Sequence, residues 1–164
     1  MRYPPGVRIH LLLLLAAAPL MGCINTDTAI FVAPALDTPV VTVTNNALGT
    51  GVSGAFHLKL HLGARASGPS SVTVGQFDIL DAQQAGTIVS PLALTSTTQL
   101  PVAVQPDSTV DVSFTFDTGT KLLAADLGKK LCDVAGIVLG GRIEDSLQGT
   151  ATPVASGVFH ASCQ

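Results

Sequence analysis

Residues 54–64 read GAFHLKLHLGA. Phe56, Leu58, Leu60 and Leu62 alternate with His57, Lys59 and His61. A period of two puts all four apolar side chains on one face of an extended strand and the charged or ionisable ones on the other, a pattern that no helix satisfies. Residues 108–118, STVDVSFTFDT, repeat it, with Val110, Val112, Phe114 and Phe116 expected inward and Asp111, Ser113, Thr115 and Asp117 outward. Two half-buried strands of this kind require an apolar layer opposite them, so the chain reads as all-β.

The rest of the chain extends that reading. Residues 39–45, PVVTVTN, are a β-branched run closed by Asn45-Asn46. Residues 70–82, SSVTVGQFDILDA, give another strand, bent at Gly75. Residues 85–95 and 98–105 each hold a proline, which suits edges and strand ends. AGIVLGGRIED (135–145) and TATPVASGVFHAS (150–162) read as a hairpin around the turn SLQG. One interruption, KLLAADLGKKL, spaces Leu123, Leu127 and Leu131 by four and predicts a short helix near 120–131, weakened by Gly128. Seven to nine short strands between turn signals predict an antiparallel β-sandwich. The strand order resembles immunoglobulin and fibronectin type III domains in architecture only, since no Cys-Trp-Cys signature or tyrosine corner is present. A small β-barrel is the alternative.

The first 22 residues have a different composition. Arg2 and Arg8 precede Ile9–Leu20, an apolar run broken only by His10 and well short of the ~20 residues that span a bilayer. Basic start, short apolar middle and small residues make a secretory leader. Ala16-Ala17-Ala18 offers ordinary cleavage but would leave Pro19 first. Leu20-Met21-Gly22-Cys23 resembles the lipobox of bacterial lipoproteins. That resemblance implies cleavage before Cys23, acyl chains (palmitate among them) on Cys23, and firm membrane anchoring, because two or more chains hold where one does not. It also implies, from Ile24 after the cysteine, an outer-membrane address in a cell that has an outer membrane. The expected organisation is a signal peptide over 1–22, a lipidated N-terminus and tether over 23–38 that ends in an edge strand, and a sandwich domain over 39–164.

The chain has three cysteines. With Cys23 acylated, Cys132 and Cys163 remain as a pair free to oxidise in an exported protein. A hairpin turning at Leu147-Gln148 pairs residues whose numbers sum to about 295, and Cys132 and Cys163 meet that sum. The alternative, a two-cysteine metal site, lacks a nearby histidine pair.

Charge and motif narrow the function classes. Charged residues are 12% of the chain and the net charge is −3, with two of its cations in the leader, so no basic surface exists for nucleic acid. Trp is absent and the one Tyr, Tyr3, lies in the leader, which weakens any sugar platform. FTFDTGT with the later IVLGG resembles the aspartic proteases, but Asp117 stands late, in one copy and on the wet side. His57 and His61 share a face some ~13 Å apart along a strand, too far for one ion, and read as a solvated stripe, as does His160. Asp78, Asp81, Asp107 and Asp111 suggest a calcium loop without the D-x-D-x-D-G run that calcium loops use. GIVLGGR lacks the Lys-Ser/Thr of a phosphate loop, and no serine has an identifiable His-Asp set. No catalytic, cofactor-binding or metal-ligating residue is therefore assigned. The expected function is a non-catalytic, lipid-anchored binding or structural module of the cell envelope, meeting a partner protein through an edge strand or loops. The alternatives are an accessory subunit of an envelope assembly and a hydrolase with an unrecognised site.

Overall fold

A computed structural model describes residues 28–83, 86–119, 121–133 and 135–164. Eleven strands and one helix follow in the order β1 (Ala33–Leu36), β2 (Val40–Asn46), β3 (Gly49–Leu62), β4 (Ser70–Asp81), β5 (Thr87–Val89), β6 (Leu94–Ser96), β7 (Val102–Val104), β8 (Ser108–Asp117), α1 (Ala125–Leu131), β9 (Ile137–Asp145), β10 (Ala151–Ala155) and β11 (Ser162–Cys163). They make two sheets, β11-β2-β3-β8-β6 and β10-β9-β4-β5, neither closed into a barrel. The runs β2-β3-β8-β6 and β10-β9-β4 follow the ABED and GFC orders of the immunoglobulin-type sandwich, with α1 inserted in the crossover from β8 to β9.

Each sheet is built on one long strand. β3 pairs along one side with β8, from Ser53↔Asp117 to Leu62↔Ser108. Its other side is shared end to end by β1 and β2, which are one strand interrupted at residues 37–39 by Asp37, Thr38 and Pro39. β4 pairs with β9 on one side and shares the other between β7 and β5. The ladder between β4 and β9 shifts register between Val74 and Phe77, so the bend expected at Gly75 is a bulge. The chain crosses between sheets after Val89, where the cis Ser90–Pro91 bond lies between β5 in one sheet and β6 in the other.

The alternation in β3 is realised side chain by side chain. Phe56, Leu58, Leu60 and Leu62 are buried, His57 and Lys59 are exposed, and His61 is half-buried. Val112, Phe114 and Phe116 of β8 point into the same core. Phe56 stacks on both Phe114 and Phe77, with ring centroids 5.1 Å apart in each pair, and so ties the two layers together. Full burial of each such side chain contributes about 1.5–3 kcal/mol. Gly141 of β9 lies opposite Phe77, and a side chain there would enter the ring, so this last glycine of GIVLGGR serves close packing of strand on aromatic.

The helix spans 125–131, shorter than its leucine spacing suggests, because Leu123 is taken into a two-bond bridge with Thr50 of β3 (3.0 and 2.8 Å). Gly128 is the contact that lets α1 approach: a Cβ there would collide with the Thr50 hydroxyl and the Asn45 side chain. Cys132 follows as the C-cap and is bonded to Cys163, 31 residues on, with Cα atoms 6.1 Å apart. The expected hairpin register is present, Ala151↔Glu144 through Ala155↔Gly140, all summing to 295. The hairpin does not carry that register to the cysteines, however. It gives way to a single bridge, Ile137↔Phe159, and the C-terminal residues then cross to the other sheet, where β11 lies parallel to β2. The disulfide therefore staples the end of α1 to β11 rather than closing a hairpin.

Candidate functional site

Cys23 and the leader lie outside the described residues. What is described of the N-terminal segment is bound firmly. Gly63 donates its N–H to the Ala29 carbonyl (3.1 Å), and Val32, whose side chain is buried, donates its N–H to Asp145 Oδ2 (2.7 Å). Sheet pairing then takes up residues 33–36 at the end of the stretch read as tether. Asp145, the last residue of β9, is 1% exposed. Its carboxylate also accepts from the Ser70 hydroxyl and from Leu147 N–H (2.9 Å). Burial pushes the Asp145 carboxyl up, but donors from Ser70, Val32, Leu147 and Gln148 outweigh it and hold the carboxyl below its ordinary value. One buried charge thus joins the entering chain, the start of β4 and the β9–β10 turn. The signal for it was in the sequence: Leu139, Gly141, Ile143 and Asp145 share one face of a strand, so period two turns the carboxylate inward.

The sheet edges differ in how they end. Asp37 N–H bonds the His57 carbonyl (3.2 Å), which fixes the phase of the β1–β3 ladder. Ala33 and Ala35 face β3, and Pro34 and Leu36 face away. The Ser156–Leu139 bond (2.8 Å) fixes the β9–β10 ladder likewise: Thr152 and Val154 face β9, and Pro153 faces away. Both outer edges thus hold a proline at a position where a free N–H would otherwise point outward. The outer side of β2 is covered by β11 and by Gln164, which exchanges bonds with Val43 (2.9 Å) and Asn45 (3.1 Å). β5, β6 and β7 have three residues each.

β8 differs. Thr118 N–H bonds the Val52 carbonyl (2.9 Å), so even-numbered residues of β8 face β3 and odd-numbered ones face outward. β6 covers only 114–116. The outward backbone groups of Thr109 and Asp111 have no hydrogen-bond partner among the described residues, and Ser113 stands where β6 begins to cover the edge. Thr109 and Asp111 are exposed, and Val110 between them is partly buried at the rim of the core.

The other residues singled out from the sequence have local partners. His57 Nδ1 and Ser113 Oγ are 3.0 Å apart, as are His61 Nδ1 and Thr109 Oγ1, both across the β3–β8 ladder. Lys59 is paired with Asp37 at 3.2 Å. Asp117 accepts from Gly119 N–H (2.6 Å) and Thr118 Oγ1 accepts from Val52 N–H (2.9 Å), so Asp-Thr-Gly is a strand-ending turn here. Asp78 accepts from the Gln76 amide (2.9 Å). Ser70 pairs with Val104, close to Asp107, while Asp81 lies eleven residues further along β4, about 36 Å away at strand rise, so Asp81 and Asp107 do not share an ion. Among the described residues no group of three His, Cys, Asp or Glu side chains could hold a metal, and no helix is long and apolar enough to cross a membrane. His160 lies beside Leu131 and Cys132 around a shallow hollow. A groove of about 470 Å³ opens at the end of the sandwich away from Val32, between Ile88, Pro91, Leu92, Phe116, Leu123 and Leu127.

The fold defines a class, an antiparallel β-sandwich of immunoglobulin-type strand order. No family model matches the chain, and neither the curated proteins nor the solved structures searched contain a match.

Proposed function

We propose that this protein is a lipid-anchored binding or structural module of a bacterial cell envelope. It works by presentation: acyl chains on Cys23 hold a rigid sandwich at a lipid surface, and the sandwich meets a partner protein there without catalysing a reaction. The observation that carries the reading is the lipobox-like Leu20-Met21-Gly22-Cys23 running into a segment that is fixed to the domain from Val32 onward. Nine residue steps separate Cys23 from Val32, which at full extension is about 30 Å. The sandwich would stand close to the bilayer, with the Val32–Asp145 end proximal and the α1 end distal. Ile30 and Phe31, both substantially exposed, lie beside the entry point on the membrane-proximal side.

The test is intact-mass measurement of the membrane-extracted chain beside a Cys23→Ser variant. The reading expects a chain beginning at Cys23 with the mass of a diacylglyceryl group and an acyl chain added, and a variant that stays unprocessed. A variant that matures at the same residue and remains membrane-bound would overturn it. Fractionation tests the outer-membrane address, which Ile24→Asp is expected to change.

A further inference from the structure

We infer that the outer edge of β8 over Ser108–Ser113 is the docking surface of the module, and that it takes an extended, basic segment of a partner protein as an added strand. The inference rests on the binding-module reading and gives that module a surface and a class of partner. Three features of this edge agree. Thr109 and Asp111 point their N–H donors and C=O acceptors outward, and Ser113 its N–H, a ready template for main-chain pairing. The partly buried Val110 lies on the inward face of the same edge, so an added strand would place an apolar side chain beside it and extend the core. Asp111 is exposed and has no ion-pair partner among the described residues, because the lysine opposite it, Lys59, is paired with Asp37.

Asp111 also decides between occupants. Two copies of β8 paired antiparallel about Asp111 would set carboxylate against carboxylate, which is unfavourable for directly opposed strand neighbours. A strand with Lys or Arg at that position and apolar residues on either side meets both the charge and the rim of the core. Main-chain bonds supply most of the affinity, and the exposed ion pair supplies the choice of partner. The edge lies in the half of β8 nearer the Val32 end, since Ser108 pairs with Leu62 and Gly63 binds Ala29. A partner segment lying close to the membrane would therefore reach it first.

The probe is the peptide acetyl-VTVKVTV-amide, titrated into the purified chain and followed by amide hydrogen exchange and calorimetry. Binding is expected to slow exchange at Thr109, Asp111 and Ser113. Asp111→Pro removes one outward N–H and leaves the bonds to β3 in place, and should weaken binding at least tenfold. Asp111→Lys keeps the N–H, and should exchange preference from VTVKVTV to VTVEVTV. The second variant and the exchange pattern keep the test decisive should the proline variant not fold. Absence of peptide binding, binding of VTVKVTV by both variants as tight as by the unaltered chain, or protection arising at another strand would overturn the inference. So would self-association of the chain that Asp111→Pro abolishes, since that outcome makes a second copy the occupant. The titration does not depend on acylation, so its result stands apart from the Cys23 measurement.

Discussion

β10 and β8 both present an outer side to solvent, but they end their sheets differently. β10 carries Pro153 at an outward position, and at the neighbouring corner β1 carries Pro34 in the equivalent phase. β8 carries Asp111 instead, with its N–H intact. A proline at an outward position removes a donor without disturbing the ladder on the other side, so it closes an edge to further strands. A carboxylate leaves the backbone available and restricts only what may pair with it. On the inference drawn above, the contrast separates edges closed to association from one that selects its partner. The β2 edge is closed a third way, by a covering strand held through a disulfide.

The largest expected effect comes from removing that cover. Replacing Cys132 and Cys163 by serine releases a loop of about 31 residues and should cost about 3–4 kcal/mol in urea denaturation. It should also speed exchange at Asn45, whose N–H binds Gln164. Retention of both stability and protection would mean that β11 needs no staple. Next comes Asp145→Ala, which undoes the corner where β1 is held against the other sheet, and should cost about 2–3 kcal/mol. The sign of its pH dependence follows from the lowered native value. The contribution is fully present above the unfolded carboxyl value of about 3.9 and is lost as pH falls through the native one. The stability gap between wild type and Asp145→Asn should therefore be flat near neutrality and narrow below about pH 4. A gap that widens in acid would contradict the assignment.

Gly128→Ala pushes α1 off Thr50 and should cost about 1–3 kcal/mol, read as a shift in the urea midpoint. The smallest effect on stability is expected from Pro153→Thr, within about 0.5 kcal/mol. Its informative readout is sedimentation velocity. Restoring an outward donor on β10 should produce concentration-dependent association, and unchanged sedimentation would show that Pro153 is not what closes that edge.

Much of this arrangement was legible in the residues, and the remainder has physical reasons for being hidden. Strands β3 and β8 were plain because one wet and one dry face impose period two. The sum of 295 in the last hairpin followed from the turn alone, and Gly75 marked the bulge in β4. The cysteine pairing came out as expected, but along a different path, because local pattern gives a strand's phase and not its partner. Nothing in ASGVFHASC announces that the chain leaves one sheet for the other. The division of the partners of β3 and β4 into end-to-end pairs is hidden for the same reason. Asp145 was legible through its inward register. The open edge of β8 was not, since being an edge depends on which strands fail to arrive.

Amide-resolved hydrogen exchange along β8 tests the central claim directly, without a ligand or a substitution. An open edge predicts alternation, with Thr109, Asp111 and Ser113 exchanging at least a hundredfold faster than Val110, Val112 and Phe114, and protection returning at Thr115 beside β6. Uniform protection from Thr109 to Thr115 would show the edge already occupied and would contradict the account.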